Sequence, residues 1–511
     1  MYTYKSGCVF NTLEDIKNKN IVVMGLGLNG GGEACVRFFL KHGANVLATD
    51  MKTEEQLLPT IKKLSEDPEL DTSRLTYRLG EHLIEDFENA DCVIKNPGVK
   101  IEGNKYLAAA RAIETDISIF LHFTKAPIIA VTGSKGKSST VSAINYGLNK
   151  AGFTAFLGGN ITVSPLTFLE KTTEKTPVVL ELSSWQLADL RGRGALKPKI
   201  SVITKIVPDH QNWYHAMEPY VADKRLIYAD QTAEDYSIFD YCADEPGTGP
   251  ECGGTWGDYF AGETKAKVLR YANVFDDENK MLNSSPAFYG VFQSADENGK
   301  FCGKVILPGM KEPEIIMREL SVPGEHMKIN ALNAALVLRL MGVEPEKCAE
   351  IMHSWPGIDH RLQFFHEKDG VRFYNDSCAT VPEAAAAASQ SFGKPVYFLT
   401  GGTDKGLSLS PLADCLTGKD GAEHPVKSLY LLAGTATEKL LPSLDQAKVK
   451  YNGPYNSLKD MLSDLKAELE ASEHKDDVVV FSPGATSFGM FSNEFDRGNK
   501  YMSAVKEIFK Q

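Results

Sequence analysis

Pro127-Ile128-Ile129-Ala130-Val131 runs directly into Thr132-Gly133-Ser134-Lys135-Gly136-Lys137-Ser138-Ser139, and a helical pattern with apolar Val141, Ile144 and Leu148 follows as far as Gly152. An apolar β-rich run, a glycine turn and an amphipathic helix in that order predict a strand and a helix joined by a phosphate-binding loop. Glycines let backbone N–H groups converge on phosphate oxygens at the helix N-terminus, Lys137 can reach the β and γ phosphates, and the Ser138 hydroxyl can ligate Mg²⁺. The loop is shorter than the common G-x-x-x-x-G-K-[ST] pattern. The competing reading is a surface loop rich in Gly, Lys and Ser; the flanking strand and helix favour the phosphate site.

Upstream lies a second glycine turn. The apolar run Ile21–Met24 ends in Gly25-Leu26-Gly27-Leu28-Asn29-Gly30, a helical pattern with Ala34, Val36, Phe38 and Phe39 follows, and the strand Asn45–Thr49 ends at Asp50, 20 positions past Gly30. This is the opening of a Rossmann-like unit, continued by Asp91–Ile94 and the turn Asn96-Pro97-Gly98. Taken alone, the turn suits a nicotinamide dinucleotide or any other pyrophosphate.

Downstream, strands are predicted at Val178–Leu182 and Ile200–Ile206, and a helix at Ile329–Met341 before Gly342. Residues 240–320, rich in Gly, Asp, Glu and Asn, read as irregular β-hairpins. A third α/β stretch starts after Trp355-Pro356-Gly357, with strands at Val371–Tyr374, Val396–Leu399, Ser428–Leu432 and Val478–Phe481. The alternation predicts an α/β chain with mostly parallel sheets covered by helices. At about 150 residues per domain, the 511 residues divide into a Rossmann-like domain over 1–126, a central domain over 127–356 and a C-terminal Rossmann-like domain over 357–511.

Composition bounds the function. Lys plus Arg is 55 against Asp plus Glu 67, a net charge of −12, so no global field attracts nucleic acid or an anionic membrane and any bound anion needs a local site. The nine cysteines are scattered with no C-x-x-C and no zinc-like spacing. The first 20 residues hold no apolar signal core, and no run of 18 apolar residues occurs. A reduced, cytoplasmic chain follows as the expectation.

Several single residues are ambiguous by themselves. Glu181 ends an apolar strand, where a carboxylate can hold the Mg²⁺ of a bound nucleotide or simply face solvent. Asp209-His210 follows another strand and could ligate or merely hydrogen bond. Lys224 lies in the helical segment Tyr220–Tyr228, ordinarily a solvated position, and Thr400-Gly401-Gly402-Thr403-Asp404-Lys405-Gly406 is a glycine turn that can serve a ligand or only turn the chain.

In combination these segments resemble the Mur ligase family, in the same order over nearly the whole chain. The resemblance rests on both glycine turns, Gly158-Gly159-Asn160, Glu181-Leu182-Ser183-Ser184-Trp185-Gln186-Leu187, Asp209-His210, Asp223-Lys224-Arg225, Gly324-Glu325-His326, His360-Arg361, Asn375-Asp376-Ser377, Gly401–Gly406, and Ser482-Pro483 through Arg497-Gly498. The Glu-Leu-Ser-Ser-aromatic-Gln and Asn-Asp-Ser strings point to the branch that joins D-glutamate to UDP-N-acetylmuramoyl-L-alanine in peptidoglycan precursor synthesis.

What the resemblance implies is specific. The first domain takes a UDP-sugar, with Leu28 and Asn29 at its phosphates, Asp50 and Lys52 near the uridine, and Asn96 and Gly98 close by. Asn160, Ser183 and Gln186 match positions touching the muramoyl-alanine part or its metal. ATP is held by Gly133, Ser134, Lys135, Gly136, Lys137, Ser138 and Ser139, with Asn330, Arg361 and Asp376. Two Mg²⁺ ions fall to Ser138, Glu181, His210 and Lys224, the last as a carbamate formed from CO₂, which turns an ammonium into an anionic oxygen ligand. Thr380, Lys405, Ser487 and Phe488 match the amino-acid pocket. Lys137, His210 and Lys224 carry catalysis, and a monomer acting on small molecules is expected.

The chain departs from the family pattern at four places: Cys378 stands where Lys is usual, Met327 where Asn is usual, Gly489 where Asp is common, and Lys135 replaces an Asn of the phosphate loop. Loss of a cation at Cys378 would bear on which amino acid is used. Two readings of other classes stand beside the ligase: an NAD-dependent dehydrogenase built on the first glycine turn, and a non-catalytic UDP-sugar-binding relative.

Overall fold

Three β-sheets organise the chain in a computed structural model that describes residues 10–161, 163–242, 244, 247–273, 288–419, 421, 426–471 and 476–510. The first comprises β1 (Asn20–Met24), β2 (Asn45–Asp50), β3 (Leu75–Leu79), β4 (Cys92–Lys95) and β5 (Ile113–Glu114) in the order β3-β2-β1-β4-β5. Every pairing in it is parallel. The order reverses direction at β1, so the glycine turn after β1 sits at a topological switch point, where open α/β sheets bind ligands.

The central sheet has β6 (Ile128–Thr132), β7 (Phe156–Gly159), β8 (Val178–Glu181), β9 (Ile200–Ile203), β10 (Tyr236–Asp240), β11 (Lys267–Ala272), β12 (Gly290–Ala295), β13 (Phe301–Ile306) and β14 (Glu314–Met317). Its order is β14-β13-β12-β11-β10-β9-β6-β8-β7. β6, β8 and β9 are buried along their whole length and read as continuous apolar runs because helices cover both faces of a parallel sheet. Here too the connections diverge at β6, which pairs with β8 on one side and β9 on the other.

The expectation of irregular hairpins over 240–320 holds for β12–β14, which pair antiparallel with a register shift, and is corrected for the part before them. Tyr236–Asp240, the helix Trp256–Glu263 and Lys267–Ala272 form a parallel strand-helix-strand crossover, and β12 continues the parallel side before β13 and β14 turn antiparallel. The Gly- and Asp-rich composition belongs to the connections and hides short strands with buried residues such as Leu269, Tyr271 and Ala272 of β11. Residues 274–287 of that stretch lie outside the described residues.

The third sheet contains β15 (Gln363–Lys368), β16 (Val371–Asn375), β17 (Val396–Gly401), β18 (Val426–Leu432), β19 (Asn452–Tyr455) and β20 (Asp477–Phe481) in the order β15-β16-β20-β17-β18-β19. Only β15 is antiparallel to its neighbour. By packing, the chain divides into two compact units, residues 1–318 with 329–352, and residues 319–328 with 353–511. The first two sheets thus share one unit.

Candidate active site

Parallel pairing places the carboxyl ends of β6, β8 and β9 side by side, with Val131 opposite Glu181 and Thr132 opposite Ile203. The phosphate loop rises from β6 and enters the helix Lys137–Lys150 through Gly136, which has φ 92°. A side chain at Gly136 would come within 2.5 Å of Asn330 Oδ1, and one at Gly133 within 1.9 Å of Thr204 Oγ1, so the loop is glycine where the backbone is approached most closely. Asn330, from the helix Glu325–Leu340, therefore lies against the loop.

The loop is braced from outside. Ser134 and Lys135 N–H groups donate to Lys205 O, Thr204 Oγ1 donates to Lys135 O at 2.6 Å, and Ser134 Oγ receives Tyr220 OH at 2.9 Å. Sequence reading missed Thr204 and Tyr220. Tyr220 lies one helical turn before Lys224, so an i, i+4 relation to a suspected functional residue was the available signal.

Two amines converge on the same backbone. Lys137 Nζ donates to Gly133 O at 3.0 Å and Ser134 O at 3.1 Å, and Lys224 Nζ donates to Gly133 O at 2.8 Å. Lys224 is 2% exposed. Burial, then the neighbouring Lys137 charge, hold its amine well below the usual lysine range. Burial also lowers Lys137, with Glu181 and Asp209 opposing.

Glu181 is 1% exposed. Its Oε1 accepts from Asn160 Nδ2 at 2.9 Å, while buried Oε2 has no hydrogen-bond partner. A buried carboxylate oxygen without a donor is costly, and a cation satisfies it. Glu181, Asn160 and the loop thus fit a hard divalent cation that takes its other ligands from phosphate and water. His210 adopts φ 51°, and its ring lies 5.0 Å from that of Trp185, tilted by 45°. Ser138 is exposed at the start of the loop helix. Among the described residues no cluster of three or more His, Cys, Asp or Glu forms a ready-made metal cage.

Ser183 and Gln186 have a role the sequence signalled. Ser183 caps the helix Ser184–Ala188, its Oγ accepting from Gln186 N at 3.2 Å while Gln186 Oε1 accepts from Ser183 N at 3.0 Å. Ser-x-x-Gln is a capping box, and this reciprocal bonding fixes both side chains beside Glu181.

At the first turn, Gly30 (φ 85°) opens the helix Gly31–Lys41. Asp50 is 7% exposed; its carboxylate accepts from Gly27 N–H and Lys52 N–H, each at 2.9 Å. Leu28 and Asn29 are exposed at the tip, and Asn96 Oδ1 accepts from Gly98 N–H at 3.0 Å. Gly32 is packed so closely under the turn that a side chain would fall 2.3 Å from Leu26 O.

In the third sheet the loops after β16, β17 and β20 meet at adjacent carboxyl ends. Lys405 Nζ donates to Thr380 Oγ1 at 3.5 Å, and Thr403 bridges to Thr486 and to Phe488 O, which holds the Ser487–Phe488 loop against the Gly401–Gly406 turn. Ser487 is buried and Phe488 is 67% exposed. Asp376 accepts from Ser482 Oγ at 2.6 Å and from Leu362 N–H at 3.1 Å; burial pushes its carboxyl up to about 7. Arg361 is exposed beside it. Cys378 is half-buried, its N–H donating to His360 O at 2.9 Å.

A phosphate loop at a switch point, one buried and one half-buried lysine amine, and a buried carboxylate with one oxygen left without a donor define a nucleoside-triphosphate-using α/β enzyme. Residues 131–250 match the Mur ligase middle domain, and residues 19–119 the Mur ligase MurD-like N-terminal domain. The UDP-N-acetylmuramoylalanine–D-glutamate ligase of Treponema pallidum (strain Nichols) is 39% identical over 97% of this chain and 99% of its own length. The ligase of the same name from Borreliella burgdorferi (strain ZS7) is 35% identical over 97% and 99%. In fold, the chain resembles UDP-N-acetylmuramate-alanine ligase MurC from Thermotoga maritima (TM-score 0.51, 16% identity, 96% of this chain and 100% of that one) and MurF from Acinetobacter baumannii (TM-score 0.51, 15% identity, 84% and 93%). The chain belongs to the Mur ligase family.

Proposed function

We propose that this enzyme is the ATP-dependent ligase that joins D-glutamate to UDP-N-acetylmuramoyl-L-alanine in peptidoglycan precursor synthesis. The observation that carries the reading is the convergence of Lys137 and Lys224 on one glycine loop, with Glu181 at the end of the adjacent strand, in a chain 39% identical to a D-glutamate ligase over almost its full length.

The terminal alanine carboxylate attacks the γ-phosphorus of ATP; the new O–P bond forms as the bond to the β-phosphate oxygen breaks, giving an acyl phosphate and ADP. Lys137 offsets the repulsion between the anions and stabilises charge on the transferred group. Mg²⁺, when bound by Glu181, Ser138, His210 and Lys224 as its carbamate, supplies further charge neutralisation at the phosphates. The buried Lys224 amine, held low by its surroundings, is neutral often enough to add to CO₂ with loss of a proton. The amine of D-glutamate then attacks the acyl carbon, loses a proton and expels phosphate, leaving the amide. Thr380, Lys405, Ser487 and Phe488 hold D-glutamate; Arg361, Asp376 and Asn330 hold the nucleotide; Leu28, Asn29, Asp50, Lys52, Asn96 and Gly98 hold the UDP part. The three expected domains, at 1–126, 127–356 and 357–511, take these tasks in turn. Among the described residues no helix is long and apolar enough to cross a membrane, and we place the enzyme in the cytoplasm as a monomer.

ADP release measured with UDP-N-acetylmuramoyl-L-alanine against a panel of D- and L-amino acids tests this. D-Glutamate alone should support turnover. Release with another amino acid in its place would overturn the donor assignment, and none with any donor the ligase reading itself.

A further inference from the structure

The residues after the Ser183-capped helix, Asp189-Leu190-Arg191-Gly192-Arg193, carry charges at alternate positions, and each meets an opposite charge on a different element. Asp189 pairs with Lys95 Nζ at 2.8 Å, their side chains 7% and 1% exposed. Arg193 pairs with Glu114 Oε2 at 2.6 Å, the side chains 5% and 0% exposed; it also donates to Ile113 O and back to Asp189 O. Arg191 pairs with Asp223, the neighbour of Lys224, and Tyr214 OH donates to the same carboxylate at 2.8 Å. One short segment thus grips the ends of β4 and β5 in the first sheet and the Lys224 helix in the central part.

Desolvation offsets most of the attraction in fully buried pairs, so apolar replacement of both partners is commonly neutral or stabilising. Their contribution is geometric. Lys95 is the last residue of β4, and its ammonium also donates to Asn96 O at 3.2 Å and Val99 O at 2.9 Å, holding the Asn96-Pro97-Gly98 turn from both sides. Asp189 directly follows the helix locked by Ser183 and Gln186.

We propose that Lys95 and Asp189, seconded by Arg193 and Glu114, are positioning residues that keep the Asn96–Gly98 turn in register with the Ser183–Gln186 helix, so that one sugar nucleotide is held by both. The inference rests on the ligase reading, which lays the UDP-sugar along these two segments. The pairs touch no reacting atom; they act through the residues they hold.

The test is the double variant Lys95→Met/Asp189→Leu, which removes both partners of the pair together. Its thermal midpoint should match the wild type, KM for UDP-N-acetylmuramoyl-L-alanine should rise on the order of tenfold or more, as expected for misplaced contacts, and KM for ATP should not move. Unchanged KM for the sugar nucleotide in a folded double variant would overturn the proposal, and so would an equal rise in both KM values. Should that variant fail to fold, Arg193→Met/Glu114→Leu must show the same split; if neither folds, the pairs are structural and the proposal falls. Wild-type enzyme that binds no UDP-N-acetylmuramoyl-L-alanine in calorimetry would instead remove the ligase reading, a different result from a wild type that binds and a variant that binds as well.

Discussion

The two glycine turns have nearly the same backbone and opposite surroundings. Each ends a parallel strand and enters a helix through a left-handed glycine, Gly30 at φ 85° and Gly136 at φ 92°. At the first, the Asp50 carboxylate occupies the Gly27 and Lys52 N–H groups, which leaves a negative charge beside the turn. At the second, the side-chain amines of Lys137 and Lys224 donate to the loop carbonyls. Glycine spacing therefore gives the shape of an anion-binding turn, and the flanking charge decides how much anion it accepts. A turn with a resident carboxylate suits a ligand offering hydroxyl and ring N–H donors; one with the Lys137 side chain folded onto it suits a triphosphate.

Removing the charge at the second turn should have the largest effect. Lys137→Ala should depress ADP release on the order of 10²-fold or more, since the lost group is preorganised against the transferred charge. Lys224→Ala should nearly silence turnover, with acetate restoring part of it by supplying the missing oxygen ligand, and Lys224→Arg should stay inactive because guanidinium forms no carbamate. Full activity in the Arg variant would exclude the carbamate.

Backbone changes sharpen the contrast between the turns. At Gly136 a methyl group meets Asn330 Oδ1 at 2.5 Å, whereas at Gly27 (φ 60°) nothing lies within 4 Å. Gly136→Ala should thus raise KM for ATP more than about tenfold, and Gly27→Ala should leave KM for the UDP-sugar nearly unchanged, its left-handed backbone costing about 1 kcal/mol of folding stability. Equal losses in steady-state kinetics would show that the turns are packed alike.

Much of this was legible because it is local. The strand, loop and helix around Gly133 and the acidic end of β2 at Asp50 are written in contiguous residues, and the strand predicted at Val178–Leu182 ends one residue earlier, at Glu181. Contacts made by sheet pairing were not legible. Asn160 reaches Glu181 across 21 residues only because β7 pairs with β8, and Lys95 at the end of β4 meets Asp189 only because the fold brings the end of the Ser184–Ala188 helix to it. The β10–β11 crossover was hidden by its polar connections. Ser183 and Gln186 form a capping box that the sequence displayed, although the ligand reading drew attention away from it.

A third carboxylate extends the comparison. Unlike Asp50, which holds two backbone N–H groups, Asp376 holds one and a serine hydroxyl, and burial raises its carboxyl to about 7. The folded state then keeps a proton that the unfolded chain loses near pH 4, so this residue's contribution is complete below that pH and is lost as pH rises through about 7. The full contribution is on the order of 4 kcal/mol. Asp376→Asn should flatten that part of the pH dependence of denaturant unfolding; an unchanged slope would show that Asp376 is ionised when folded.

Smallest is the effect expected at Cys378, where a charge is absent that the family usually has. In the pocket proposed above, Lys405 with Thr380 and Ser487 would offer D-glutamate one cation and hydroxyls, so Cys378→Lys should lower KM for D-glutamate by a few-fold through a charge-assisted contact. Unchanged constants across the donor panel would make Cys378 a neutral replacement.

The central claim, that the first turn serves the sugar nucleotide and the second serves ATP, is tested most directly by calorimetric titration of Lys137→Ala with UDP-N-acetylmuramoyl-L-alanine, with NADH as the control ligand. Wild-type affinity for the sugar nucleotide in this inactive variant, with no NADH binding, is the expected result. Loss of sugar-nucleotide binding along with ATP use, or micromolar binding of NADH in its place, would contradict it.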